Sequence, residues 1–71
     1  MDNIHYRAVT ASGPSWQRKV EEHAANGNNF LVRPFNKQVH WPFLEELCER
    51  YGLISSFDAC ARTAYFRVPS S

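Results

Sequence analysis

Little in this chain points to covalent chemistry. Two cysteines, Cys48 and Cys60, are too few for a disulfide framework, and His5, His23 and His40 share no C-x-x-C or H-x-x-x-H spacing that would hold zinc. An excess of either charge is lacking. Eight basic and seven acidic side chains leave a net charge of +1, so a nucleic-acid or anionic-membrane role cannot rest on bulk attraction and needs a local patch. No apolar run approaches the ~18 residues of a membrane span, and Met-Asp-Asn-Ile-His at the N-terminus lacks the basic and apolar regions of a secretory signal. The chain is therefore expected to be intracellular, cytoplasmic or nuclear, with no membrane partner, metal or cofactor. Two of the three glycines make turns, at Ser12-Gly13-Pro14 and Ala25-Asn26-Gly27, far short of a phosphate-cradling loop. Glu45 and Glu49 lie one turn apart on a polar helix face, which reads as solvation and not as an acid/base pair; the chain is not expected to be an enzyme.

What is present is enough to fold. An apolar share of 44% and an aromatic share of 14% are globular values, and residues 1–71 read as one small domain near the lower size limit for a self-sufficient core. The strongest local signal runs from Trp41 to Leu53. Pro42 suits a first helical turn, Gly52 suits a left-handed close, and Phe43, Leu44, Leu47, Cys48 and Tyr51 make one stripe at a period of 3.6. Cys48 on that stripe is expected to be a reduced, buried thiol. Asn36 to His40 reads as a connector, because Pro42 inside a longer helix displaces a hydrogen bond.

The rest of the chain falls around that helix. Ile4 to Thr10 alternates like a half-buried strand; Ser15 is a candidate N-cap for a first helix carrying Trp16, Val20 and Ala24; Phe30 to Arg33 is strand-like and stopped or confined to an edge by Pro34. Leu53 to Phe57 and Arg62 to Val68 read as a hairpin around Asp58-Ala59-Cys60-Ala61. The order is β-α-β-α-β-β, which predicts an α+β two-layer sandwich with both helices on one face of a small, mostly antiparallel sheet.

Strand phase then predicts the two faces. Ile4, Tyr6 and Ala8, with Phe30, Val32, Ala64, Phe66 and Val68, are best suited to meet the helices; the opposite phase holds His5, Arg7, Leu31, Arg33, Thr63, Tyr65 and Arg67. Arginines and a tyrosine on an open sheet suit the stacking of unpaired bases, although small sheets also keep a solvated face without any ligand.

From Pro34 onward the chain reads Pro34-Phe35-Asn36, then Cys48-Glu49-Arg50-Tyr51-Gly52-Leu53, then Ser55-Ser56-Phe57-Asp58, and finally Arg62 leading into Ala64-Tyr65-Phe66-Arg67-Val68. This succession resembles the R-3-H domain, and within it the copy found in X-box-binding nuclear zinc-finger proteins. The resemblance spans about half the chain and implies a small sandwich of helices on a sheet that binds single-stranded nucleic acid. The Arg and His that name the family are absent: counting back from Gly52, their positions fall on Trp41 and Glu45, or one residue earlier on His40 and Leu44. Arg62 matches the basic residue that opens the family's last strand.

Two functions follow as expectations. The first is binding of single-stranded RNA or DNA, with Arg33, Lys37, His40 and Arg62 as a basic rim where strand and helix ends meet, and with Arg67, Tyr65 and Trp41 as further contacts. The second is a protein-interaction, adaptor or inhibitor domain that keeps the fold without nucleic acid. Trp41 is then an exposed anchor rather than a bridge between helix and sheet, and the Phe30 strand is an unpaired edge open to a partner strand or to self-association.

Overall fold

Asn36 starts the longer helix, five residues before Trp41. In the computed structural model, which describes residues 5–69, six elements follow one another: β1 (Arg7–Thr10), α1 (Trp16–Ala25), β2 (Phe30–Arg33), α2 (Lys37–Tyr51), β3 (Ile54–Asp58) and β4 (Thr63–Arg67). The Asn36 side chain accepts hydrogen bonds from the N–H groups of Gln38 (3.0 Å) and Val39 (3.4 Å), and its own N–H donates to His40 Nδ1 at 2.9 Å. Donors that a helix start leaves orphaned are thus satisfied in both directions, as in a capping box. That gain outweighs the cost of Pro42 as the sixth helical residue, which leaves the Gln38 carbonyl without its usual donor. The reading of Asn36 to His40 as a connector is corrected accordingly. Gly52 closes α2 in the left-handed region at φ 68°, its N–H donating to the Cys48 carbonyl.

Pro42 is exposed, so its ring contributes little packing. Pro42→Ala restores one backbone bond and is expected to raise stability by about 1–3 kcal/mol. Thermal unfolding followed by circular dichroism checks this; a melting temperature below the parent's contradicts it.

The four strands form one open sheet in the order β1-β2-β4-β3, with β1 parallel to β2 and the other two pairings antiparallel. Both helices cover one side. Trp16, Val20 and Ala24 of α1 and Leu44 and Leu47 of α2 are buried with Val9, Phe30, Val32, Leu53, Ala64 and Phe66 in a single core. The α2 stripe packs as the period dictates, with Phe43, Cys48 and Tyr51 half-buried along its margin. Pro34 ends β2 without making it an edge.

Two expectations about the sheet are corrected. Phe30 is not on an unpaired edge: β2 is bonded to β1 on one side and β4 on the other, and Phe30 is fully buried. The edges are β1 and β3. The phase of β1 is also shifted by one residue, because Arg7 pairs with Phe30 and Val9 with Val32. Tyr6 and Ala8 therefore take the open phase, while Arg7 and Val9 take the helix side, where only Val9 is far enough inward to be buried. Ile4, assigned to the same set as Tyr6, lies outside the described residues.

Candidate functional site

The connection from β2 into α2 and the turn from β3 to β4 meet at one corner, fastened by the Phe35 N–H donating to the Arg62 carbonyl at 2.7 Å. The turn is held by Asp58, whose Oδ1 accepts from the Ala61 N–H at 3.1 Å, and Arg62 leaves it at φ 50°, a left-handed conformation unusual for a residue with a side chain. The local chain path thus sets Arg62 between the strand end at Arg33 and the helix start at Lys37.

Three open depressions of about 360, 420 and 510 Å³ surround Arg62. The first lies between Phe35, Lys37, Phe57 and Asp58, the second between Thr10, Arg33, Pro34 and Cys60, and the third between Pro34, Asn36, Lys37 and His40; Arg62 lines all three. Arg33, Lys37, His40 and Arg62 are therefore brought together. Among the described residues Asp58 is the one carboxylate lining these depressions, and its Oδ1 is already engaged by the turn.

Beneath the cations lies a stack of rings. Phe35 and Phe57 are near parallel, with centroids 5.2 Å apart and planes 15° from each other, and Trp41 meets Phe57 edge-on at 5.3 Å. Phe57 remains 46% exposed, with Lys37 Nζ 5.8 Å from its centroid. Trp41 is half-buried against this cluster, so it joins helix to sheet and is not a free-standing anchor. Neither Phe35 nor Phe57 was singled out by the sequence. The signal was a lone aromatic after two serines, in a strand whose neighbours are exposed.

His40 is held by packing as well as by its bond to Asn36. Its ring lies edge-on to Trp16 at 5.1 Å and tilted against Phe35 at 6.0 Å. Nδ1 accepts from the Asn36 N–H, which leaves Nε2 as the ring nitrogen not engaged by that bond.

The remaining cations lie elsewhere. Arg67 is at the far end of β4, paired with Ile54, and shares the open sheet face with Tyr65. Arg7 belongs to the opposite phase, and Asp58 joins the open face through its pairing with Thr63, so of the three arginines expected on that face Arg33 and Arg67 remain, and they share it with Asp58. Arg50 is bonded to Glu21 at 3.1 Å and Glu46 at 3.5 Å, which ties up these charges away from the Arg62 corner.

Cys48 is placed for packing. Burial, and secondarily the Glu45 carboxylate, pushes its thiol above the usual value and keeps it protonated, a state poor in nucleophilic thiolate. Cys60 sits exposed in the β3–β4 turn. Among the described residues no helix is long and apolar enough to cross a membrane. In comparisons with family models, curated proteins and solved structures, nothing matches this chain.

Proposed function

We propose that the Arg62 corner binds single-stranded nucleic acid, in the manner of a divergent R-3-H domain. The observation that carries this is the exposed Phe57 ring, stacked on Phe35 and surrounded by Lys37 and Arg62, with Arg33 alongside. A ring backed by a second ring is rigid and loses little freedom when a base lies on it, a contact contributing about 1–3 kcal/mol. Lys37, Arg33 and Arg62 supply the phosphate contacts, the arginines with a fork that suits phosphate oxygens. In one of the two registers the position of the family's Arg carries Trp41 here, which braces Phe57 edge-on.

Fluorescence anisotropy of labelled oligo-uridylate and oligo-thymidylate tests the reading. Affinity is expected to fall as salt rises, with log K against log salt sloping at about −2 if three phosphates are neutralised, since each contributes roughly 0.7 for a single strand. Duplexes of the same length should bind less well, because their base faces are hidden. No affinity for either oligomer at low salt ends the proposal.

A protein-interaction role is the second reading, and one observation favours it. The β3 edge carries Ile54 and Phe57, both exposed, with no proline or lysine along the strand to blunt it. Self-association in size-exclusion chromatography that is insensitive to salt, with no oligonucleotide bound, would select this reading over the first.

A further inference from the structure

Resting on that assignment of the corner, we infer that the bound single strand continues past Arg62, around the end of β2 and onto the open sheet face, where Tyr65 stacks a second base between Arg33 and Arg67. Three observations carry the path. The first is continuity: the depression lined by Thr10 and Arg33, both on the open face, shares Pro34 and Arg62 with the depression that reaches Lys37 and His40. A polymer leaving one enters the other without crossing the covered side of the sheet.

The second is the arrangement of side chains fixed by register. Tyr65 pairs with Leu31 on one side and Ser56 on the other, at the centre of the face. Arg33 is its diagonal neighbour on β2, roughly 7–8 Å away between Cα atoms, and Arg67 follows two residues along β4, roughly 7 Å on. A ring flanked by two cations is also the arrangement at Phe57, where they are Lys37 and Arg62.

The third is that the Tyr65 ring is held in place. Tyr6 meets it edge-on, with centroids 5.2 Å apart and planes at 73°, and Tyr65 is only half-buried, so part of the ring stays available. Single strands suit this route and duplexes do not, since both rings require unpaired bases and the path bends round the end of a sheet. Ile54, 56% exposed beside Arg67, extends the apolar centre of the face under the sugar and base edges.

The test compares a trinucleotide with a decanucleotide of uridylate or thymidylate by anisotropy, on the parent chain and on Tyr65→Ala, Tyr65→Phe, Arg67→Ala and Phe57→Ala. The trinucleotide is expected to report only on the corner: Phe57→Ala weakens it, and the variants at Tyr65 and Arg67 leave it within about twofold. For the decanucleotide, Tyr65→Ala should cost about five- to hundredfold, Tyr65→Phe should retain the parent affinity, and Arg67→Ala should flatten the salt slope by roughly 0.7. If Phe57→Ala weakens both lengths while Tyr65→Ala and Arg67→Ala change neither, the strand stops at the corner and this inference is overturned with the proposed function intact. If the parent binds neither length at low salt, the corner itself is misassigned and the inference falls with it. Circular dichroism of each variant separates lost contact from lost fold.

Discussion

Phe30→Ala is expected to leave the chain largely unfolded at room temperature, or to lower its melting temperature by roughly 15–30 °C if a native fraction survives. The side chain is fully buried in the central strand, stacked on Phe66 with centroids 5.0 Å apart and planes 17° from parallel, and flanked by the His23 ring at 6.2 Å. Removing a buried phenyl ring loses transfer energy and leaves a cavity, together about 3–5 kcal/mol. A domain of 71 residues holds only about 4–10 kcal/mol in all. The loss is therefore comparable with the whole stability. An exposed edge residue waiting for a partner strand would behave differently, since its truncation changes stability by less than about 0.5 kcal/mol and affects only association. Urea unfolding of the variant discriminates between the two; a midpoint within error of the parent's would return β2 to the edge of the sheet.

Why the central position of β2 escaped sequence reasoning is a matter of range. Pro34 acts within a residue or two of itself, and it argues for an edge; the parallel β1–β2 pairing that surrounds Phe30 is non-local and leaves no short-range mark. The β1 phase was missed for a related reason. Tyr6 and Ala8 alternate with Arg7 and Val9, and only Val9 of the four is buried, so the strand offers a single buried side chain to fix its face. By contrast α1, the body and close of α2 and the β3–β4 hairpin were legible, because apolar periods in the helices and turn residues between the strands act locally. Trp16, Val20 and Ala24 of α1, and Leu44 and Leu47 of α2, are buried as their spacing requires.

In the candidate corner, the convergence of cations was legible in the sequence and the stack of rings was not. Arg33 ends β2, Lys37 opens α2 and Arg62 immediately precedes β4, and chain ends of a two-layer sandwich collect at shared corners. Phe35 and Phe57 are 22 residues apart in sequence, and their stacking depends on a register between β3 and β4 joined to the path of the β2–α2 connection. No periodicity within either segment encodes that contact. At the start of α2 two local rules compete, at Asn36 and Pro42, and the bonds that the Asn36 side chain accepts from Gln38 and Val39, with the one its N–H donates to His40, decide in favour of Asn36.

Arg62→Gly separates stability from binding more sharply than any other single change. At φ 50° a residue with a Cβ is strained by about 1–2 kcal/mol, whereas glycine adopts this region freely. Against that gain stands the extra freedom of glycine in the unfolded chain, about 0.5–1 kcal/mol. The net expectation is a melting temperature equal to the parent's or slightly higher, with the Phe35 N–H still bonded to the residue's carbonyl, since the backbone is unchanged. Binding should move the other way. Arg62 lines all three depressions, and losing a charged hydrogen-bonding group from their junction should weaken a single-stranded oligonucleotide by about 10- to 100-fold, with a salt slope flatter by roughly 0.7. Lys19→Ala is the matched control, because it removes the same unit of charge from the exposed side of α1. If net charge alone drew the ligand, the two variants would lose affinity equally. Under the proposed function, Arg62 is kept in a left-handed turn where glycine fits better because its side chain contacts the ligand, and strain of this kind gathers at functional positions. An Arg62→Gly protein that is more stable and binds as the parent does would remove that explanation, and the corner with it.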